Sequence, residues 1–356
     1  VPPGESRVLV ISHGNYEGER VLLKIDFYKK GSMKYPEDGT MLGFEQFRLD
    51  NGKKQNMKED QAAACAAADF QIRETEETVL VSGRNFVYRF NKTAGNFDSM
   101  IYRGKEYLHG PVEYQMYRAP LDNDMYLCGR EPGGTYNFKT MGFDRIKPYV
   151  YETSVEKKEE ALIRCRLSLV AAARASLGDI DAVFCIDGEG KVNMKLQTKI
   201  RESIPWIPRF GLRLHLDRSL ERCTYFGYGP AESYVDKKEG AWLDRFSGNV
   251  EDMFEPYIFP QENSSHCGTE YCILSDGTGE MKITSEKPFS FSVSRYEWEE
   301  LERKAHDFEL EECGDTVLHL DYYMSGVGTG SCGPQTRPEY RFTEKDFCAQ
   351  FTIEWK

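Results

Sequence analysis

The segment YRAPLDND, residues 117–124, places one guanidinium and three acidic or amide side chains beside a proline. Pro120 favours a rigid turn, and the guanidinium of Arg118 can bind a carboxylate or backbone carbonyls through two parallel hydrogen bonds. Asp122, Asn123 and Asp124 can accept hydrogen bonds from nearby backbone amides. Two interpretations stand, a buried hydrogen-bonded turn and a loop that takes part in function.

A second polar loop, FPQENSSH at residues 259–266, carries oxygen donors of the kind that hard cations accept. The backbone carbonyls of Phe259 and Pro260 are candidate ligands for a monovalent or divalent cation. His266 is predicted to be a hydrogen-bonded loop residue, because no second histidine or cysteine stands at the spacing of a metal site. The side chains of Gln261, Glu262 and Asn263 share this loop.

Two further segments contain candidate functional residues. GYGPAESYVDK joins a Gly-Pro turn to Glu232, Tyr234 and Asp236, and we expect a mainly structural role for it. GVGTGSCGP has glycines at positions 326, 328, 330 and 333, which suit either a close approach to another surface or a plain hairpin loop.

The composition excludes some partners. The net charge of −12 argues against nucleic acid and anionic membranes, since phosphate contacts need clustered Lys and Arg. Aromatic residues make up 13% of the chain, which suits a neutral, hydroxyl-rich ligand such as a sugar. Ten cysteines show no CxxC pair and no regular spacing, so we expect free thiols and a cytoplasmic location. No signal peptide or apolar run of membrane-spanning length is visible.

Apolar and polar residues alternate along most of the segments between these loops, which predicts that β-strands position the loops. Residues 1–50 predict part of a β domain with strands at 7–12, 20–30 and 41–50, and residues 51–69 predict a polar, alanine-rich linker. Residues 70–356 predict one large β-sandwich. A helix is expected over 294–310, with Ser294 and Glu297 as a capping box and Trp298, Leu301, Ala305 and Phe308 on its buried face. The absence of an initial Met suggests an excised segment.

Four segments together resemble one family. YRAPLDND (117–124), YFGYGPAESYVDKKEGAWLDRF (225–246), YIFPQENSSHCGT (257–269) and SGVGTGSCGP (325–334) resemble, in order and spacing, the C-terminal part of glycoside hydrolase family 2 β-galactosidases. YPEDGTMLGFEQFRL (35–49) resembles the last strands of the immunoglobulin-like domain that precedes it there. The resemblance implies an all-β chain, a partial immunoglobulin-like domain followed by a large galactose-mutarotase-like β-sandwich.

The resemblance also implies that this chain lacks the chemistry itself. In the family the two catalytic glutamates belong to a (β/α)8 barrel, present in the same polypeptide or a partner chain, and the parent hydrolyses β-D-galactosides such as lactose. The parent is expected to be a homo-oligomer that uses Mg and Na. The implied active-site rim residues are Arg118, Asp122, Asn123, Asp124, Ser331, Cys332 and Gly333. Some family members present a tryptophan to the sugar at the position of Cys332, so this chain lacks that aromatic platform.

Two other functions stay open at this point. One is a free carbohydrate-binding module built on the sandwich without a barrel. The other is an aldose epimerase, which needs a His/Glu acid–base pair on the concave face of the sandwich.

Overall fold

The computed structural model describes residues 4–8, 10, 21–31, 35, 37–49, 70–124, 137–172, 174–328 and 336–356. The chain divides into two compact units, Val1–Cys65 and Ala66–Lys356. In the first unit, strands β1 (Leu22–Tyr28) and β2 (Met41–Arg48) form an antiparallel pair. The expected strand at 7–12 is not formed at the described residues 7, 8 and 10, so this prediction is wrong there, and residues 9, 11 and 12 lie outside the described residues. The expected linker at 51–69 lies wholly outside them.

The second unit begins with a five-stranded antiparallel meander, in which each strand pairs with the next. Its strands are β3 (Gln71–Glu74), β4 (Thr78–Ser82), β5 (Phe86–Asn91), β6 (Asn96–Tyr102) and β7 (Lys105–Glu106). Alternate side chains of β5 are buried, as expected for a strand with one face on a core.

A twelve-stranded antiparallel sheet makes up most of the second unit. Its strands are β8 (Glu113–Gln115), β9 (Ile146–Lys157), β10 (Ala161–Ala171), β11 (Gly178–Ile186), β12 (Val192–Ile200), β13 (Arg209–Leu216), β14 (Arg222–Gly229), β15 (Trp242–Asn249), β16 (His266–Ser275), β17 (Glu280–Ser294), β18 (Thr316–Met324) and β19 (Asp346–Trp355). The main order is β15-β14-β16-β17-β19-β12-β11-β10-β9, and β17 also starts a branch β18-β13-β8.

Strand β17 has two partners on one edge because its two halves pair differently. Met281–Thr284 pairs with β19, whereas Ser290–Ser294 pairs with β18. Pro288 lies between the two halves and has no backbone N–H to donate, which favours an interruption of the ladder at this point. Strand β17 therefore joins the main sheet to the branch β18-β13-β8. Strands β13 and β18 of this branch carry the buried charges described below.

Aromatic side chains fill the core between the meander and the large sheet. The rings of Phe90 and Phe97 lie edge-on to Phe184 of β11, with centroids 5.0 and 5.5 Å away. Trp355 of β19 contacts Tyr102 and Tyr107 at 5.6 and 4.4 Å. Such pairs add about 0.5–1.5 kcal/mol each to the burial of their apolar area. The prediction of an all-β fold is confirmed.

Helix is scarce, and the predicted helix at 294–310 is wrong in its extent. Helix α1 spans Phe138–Met141 and α2 spans Trp298–Arg303. The predicted cap Ser294 ends β17 and accepts a hydrogen bond from the Tyr296 amide at 3.2 Å, so it closes a turn instead of capping a helix. Phe308, expected on the buried face, is 81% exposed.

The chain leaves helical geometry after Arg303 because another carboxylate caps the following turn. Glu309 accepts hydrogen bonds from the amides of Ala305 and His306 at 3.0 and 2.9 Å. His306 therefore lies at the start of a 3-10 turn, Asp307–Glu309. No helix in the described part of the chain is long and apolar enough to cross a membrane.

Candidate functional site

Four separate segments of the second unit meet in one polar region, which we call the four-segment cluster: residues 117–124, 232–237, 257–266 and 325–328. The guanidinium of Arg118 donates to the carbonyls of Ser325 and Gly326 at 2.8 and 3.1 Å. The amide of Asp122 donates to Oε1 of Gln261 at 3.3 Å. Motifs that lie far apart in the sequence are thus in contact within the cluster.

Arg118 anchors the first segment from inside the protein. Its side chain is fully buried and pairs with the carboxylate of Asp124, with donor–acceptor distances of 3.2 and 3.3 Å. Burial opposes the charge of Arg118, but the charge of Asp124 and its hydrogen bonds outweigh burial and raise the pKa of Arg118. Asp124 also accepts from the amide of Leu121 at 3.2 Å. Arg118 therefore stays charged and holds two segments together.

The fourth segment is held through its backbone by Asp236. The two oxygens of this carboxylate accept the amides of Val327 and Gly328, each at 2.9 Å. Gly328 has φ of +84°, where glycine is strongly favoured. Asn123 of the first segment donates to the carbonyl of Val327 at 3.0 Å. These contacts fix the chain immediately before residue 329.

Glu232 holds the third segment in a similar way. Its Oε2 accepts the amide of Ser264 at 2.8 Å, and its Oε1 accepts hydrogen bonds from Lys237 and Tyr257. Ser264 has φ of +63°, an uncommon conformation for a residue with a side chain. The carboxylate thus supports a strained turn inside the cluster.

Two buried charges from the sheet, Arg209 of β13 and Asp321 of β18, lie beneath the cluster. Arg209 donates to the two oxygens of Asp321 at 2.9 and 2.5 Å and to Glu262 at 3.4 Å. Burial opposes the charge of Arg209, but the charges of Asp321 and Glu262 outweigh it and raise its pKa. Burial raises the pKa of Glu262 and of Asp321, and the arginine charge opposes that rise.

Sequence analysis missed Arg209 and Asp321, although a signal was present. Asp321 is the one Asp, Glu, Lys or Arg residue in TVLHLDYYM, and Arg209 begins the largely apolar strand RFGLRLHL, which also contains Arg213. Charged residues are almost never fully buried unless they are paired, so such strands predict a partner elsewhere in the fold. The partner itself cannot be identified from one sequence, because 112 residues separate the two positions.

The arrangement favours positioning over proton transfer. Glu232 and Asp236 accept backbone amides, and Glu262 faces Arg209, so each of the three carboxylates already has a partner. Glu262 is also 4% exposed, which leaves little access for a substrate. His266, the first residue of β16, is buried, and its Nδ1 lies 3.0 Å from the Tyr225 hydroxyl. Burial lowers the pKa of His266 to about 4.

The predicted cation ligands lie within the third segment. The Phe259 carbonyl accepts a hydrogen bond from Nε2 of Gln261 at 3.1 Å, and Pro260 is buried. Within the described ranges, no group of three or more His, Cys, Asp and Glu residues has a metal-binding arrangement. Cation binding through Phe259 and Pro260 stays a prediction.

The predicted rim residues divide into two sets. Arg118 and Asp124 are buried, whereas Asp122 is exposed and Asn123 is partly exposed, with Oδ1 lacking a partner among the described residues. Ser331, Cys332 and Gly333 lie outside the described residues. Among the described residues predicted for the rim, Asp122 and Asn123 are the ones with exposed surface, and the rim role stays a prediction.

A family model and curated relatives of this chain point to the same family. The family described as "Beta galactosidase small chain" matches residues 82–353. A β-galactosidase of Actinobacillus pleuropneumoniae is 31% identical over 352 residues, 99% of this chain and 34% of that protein. A β-galactosidase of Staphylococcus xylosus is 28% identical over 305 residues, 85% of this chain and 29% of that protein. The chain spans about a third of the length of these relatives.

Several solved structures also show a partial likeness to this chain. A galactose mutarotase-like protein from Lactobacillus casei has a TM-score of 0.44 and 10% identity, covering 81% of this chain and 100% of that one. A galactose 1-epimerase from Lactobacillus acidophilus has a TM-score of 0.44 and 9% identity, covering 81% of this chain and 98% of that one.

Proposed function

The chain belongs to the β-galactosidase small chain family, and from this premise we propose that it is a non-catalytic part of an enzyme that hydrolyses terminal β-D-galactosides. Its relatives carry the name β-galactosidase, and this chain spans about a third of their length. In this proposal a (β/α)8 barrel of the same polypeptide, or of a separate chain, supplies the two catalytic glutamates of a glycoside hydrolase family 2 enzyme.

The observation that carries the proposal is the convergence of four distant segments in one cluster. Arg118 and Asp236 hold the backbone of the fourth segment, and the buried Arg209 of β13 pairs with Glu262 of the third segment. A buried charge network is an expensive way to hold an ordinary surface turn, because each ion loses its hydration. We infer that the cluster positions a rim, including Asp122 and Asn123, against the barrel and the bound galactoside.

The epimerase alternative is less well supported. Its required acid and base must lie on either side of a sugar ring, free to exchange protons with it. The described chain does bring together a histidine and a glutamate, His215 on β13 and Glu297 immediately before α2. However, His215 Nδ1 lies 3.1 Å from Glu297 Oε1, so the two side chains bind each other. Two groups that bind each other directly leave no room for a sugar between them.

The cysteines support a reducing location as part of the same proposal. Seven cysteines fall within the described residues and all seven are free thiols, Cys165, Cys185, Cys223, Cys267, Cys272, Cys313 and Cys348. Burial raises the pKa of the Cys223 and Cys272 thiols, so these two are unreactive toward oxidants. We therefore place the parent enzyme in the cytoplasm.

The test compares three samples in the hydrolysis of a nitrophenyl β-D-galactoside. We expect no hydrolysis by this chain alone, hydrolysis by the parent polypeptide, and loss of hydrolysis when the region corresponding to this chain is deleted. Adding the chain back to the deleted parent should restore part of the activity. Turnover by the chain alone at the rate of the parent would contradict the proposal.

A further inference from the structure

A cavity beside α2, lined in part by the residues that lead into the first segment of the cluster, has features that the proposed function does not use. We call it the α2 cavity; its volume is about 280 Å³. That is just below the range of about 300–1,000 Å³ typical of sites for drug-sized ligands, so a single sugar ring suits it better than an oligosaccharide. Six of its lining residues carry the argument, namely Glu113, Gln115, Tyr117, Arg213, Trp298 and Glu299.

Gln115 is the residue that points to a ligand. It lines the cavity, is 6% exposed, and one of its amide atoms lies 2.9 Å from Nδ1 of His319. Its other polar atom, Nε2, has no hydrogen-bond partner among the described residues. Exchanging the amide oxygen and nitrogen does not change this, because one of the two atoms is then still unpaired. An unpaired buried amide costs about 1–3 kcal/mol, and a ligand hydroxyl recovers this cost when the Gln115 side chain turns its buried Nε2 toward the cavity.

The charges around the cavity favour a neutral ligand. Arg213 binds Glu113 at 2.7 Å and Glu299 at 2.7 Å, so both carboxylates are paired and the three groups together keep one negative charge. The remaining charged lining residues, Asp144 and Lys147, have opposite signs. A phosphate would meet carboxylates at this site, and a free cation would have to displace the Arg213 guanidinium.

Aromatic rings supply an apolar wall beside these polar groups. Trp298 is partly buried, and its ring lies edge-on to Tyr117 with centroids 4.9 Å apart. The guanidinium of Arg213 lies 5.8 Å from the centre of the Trp298 ring, which helps to fix the ring in place. A fixed indole ring beside an amide and two carboxylates matches a molecule with one C–H face and several hydroxyls.

We propose that the α2 cavity binds a neutral monosaccharide, with the apolar face of the sugar against Trp298 and a hydroxyl accepting from or donating to the Gln115 amide. This site is independent of the rim proposed above and does not rest on the assignment of galactoside hydrolysis. The affinity is expected to be weak, with a Kd on the order of 1–10 mM, because a single sugar ring offers few atoms for contact.

The experiment follows the four tryptophan indole N–H signals of the ¹⁵N-labelled chain during titration with D-galactose. We expect one signal to move with saturation in the millimolar range, and we expect the same signal to be missing from Trp298→Phe. Trp242→Phe serves as the matched control, since Trp242 lies on β15 and does not line the cavity. D-Galactose 6-phosphate should bind at least tenfold more weakly because of the lining carboxylates.

Gln115→Leu provides a second, independent variant with a similar side-chain volume. We expect it to raise the Kd at least tenfold while the circular dichroism spectrum and Tm remain close to those of the parent chain. The proposal is wrong if no indole signal moves up to saturation of the sugar, or if only a signal that persists in Trp298→Phe moves. Equal affinity in Gln115→Leu and the unmodified chain would also overturn it.

Discussion

Two groups of buried polar side chains in the second unit differ in how completely they are paired. In the four-segment cluster, Arg118 and Arg209 each have carboxylate partners, and Arg118 also binds two carbonyls. Beside the α2 cavity, Gln115 has one amide atom paired and one unpaired. The arginine charges of the cluster are paired and hold structure in place, although Asn123 Oδ1, Ser265 Oγ and His266 Nε2 in the same cluster have no partner among the described residues. The unpaired atom of Gln115, by contrast, belongs to a residue that lines a cavity. The difference assigns positioning to the first region and recognition to the second.

Breaking the paired network should have the largest effect on stability. Arg209→Met leaves the carboxylates of Asp321 and Glu262 buried without a cation, and losing one partner of a buried pair costs about 3–5 kcal/mol. Urea unfolding should show this loss in the free energy of unfolding. The control is Arg166→Met on β10, whose ion pair with Glu152 is exposed and should contribute less than about 1 kcal/mol. Equal losses in the two variants would contradict the pairing argument.

The pH dependence of stability should report the buried His266. Burial lowers the pKa of His266 to about 4, while in the unfolded chain it is about 6.5. Between these values the unfolded state binds the proton and the folded state does not, so stability falls as pH falls from 6.5 to 4. The loss attributable to this residue is about 3 kcal/mol.

The measurement compares unfolding of the unmodified chain and His266→Gln at several pH values from 7 to 4. The variant should lose less stability over this range, with the difference growing as the pH falls. His306→Gln, which changes an exposed histidine, should follow the unmodified chain. Parallel curves for His266→Gln and the unmodified chain would show that His266 is not held neutral.

The smallest effect on stability is expected at the α2 cavity. Gln115→Leu removes an amide that is only half paired, so it loses the contact with His319 but also removes an unsatisfied group. The free energy of unfolding should change by about 1 kcal/mol or less without ligand. Thermal unfolding without sugar provides the check. A loss of unfolding free energy as large as that of Arg209→Met would mean that the Gln115 amide is fully hydrogen-bonded and has no atom left for a ligand.

The sequence predicted the elements with repeating patterns and missed the features that depend on distant partners. Alternation identified an all-β chain, and the four motifs identified the family, because both signals are local in the sequence. The helix prediction at 294–310 relied on Ser294 and Glu297, which have the spacing of a capping box. It failed because Ser294 is the last residue of β17 and so cannot cap a helix. The spacing of apolar residues along the predicted helix does not show at which residue the preceding strand ends.

The site was predicted only in part for a similar reason. YRAPLDND was recognised as a polar turn with an arginine able to bind carbonyls, and Arg118 does bind the carbonyls of Ser325 and Gly326. The contribution of Arg209 and Asp321 was missed, because the two residues meet only through the pairing of β13 with β18. Gln115 gave no signal in the sequence, since an unpaired amide is a property of packing.

The central claim is that the cluster positions loops for the activity of a larger enzyme, and Asp236 tests it most directly. Asp236→Asn keeps the shape of the side chain but turns an N–H group toward one of the two amides, of Val327 or Gly328, that the carboxylate now accepts. The matched control is Asp244→Asn, whose carboxylate is exposed on β15. Both substitutions are made in the parent polypeptide.

In the parent enzyme, Asp236→Asn should lower kcat/KM for a nitrophenyl β-D-galactoside about tenfold, the cost of about 1.4 kcal/mol of lost positioning. The Tm should fall by only a few degrees, and Asp244→Asn should match the unmodified enzyme in both quantities. If Asp236→Asn keeps the full kcat/KM while the loop contact is lost, the cluster is a structural feature of the sandwich and does not position the active site.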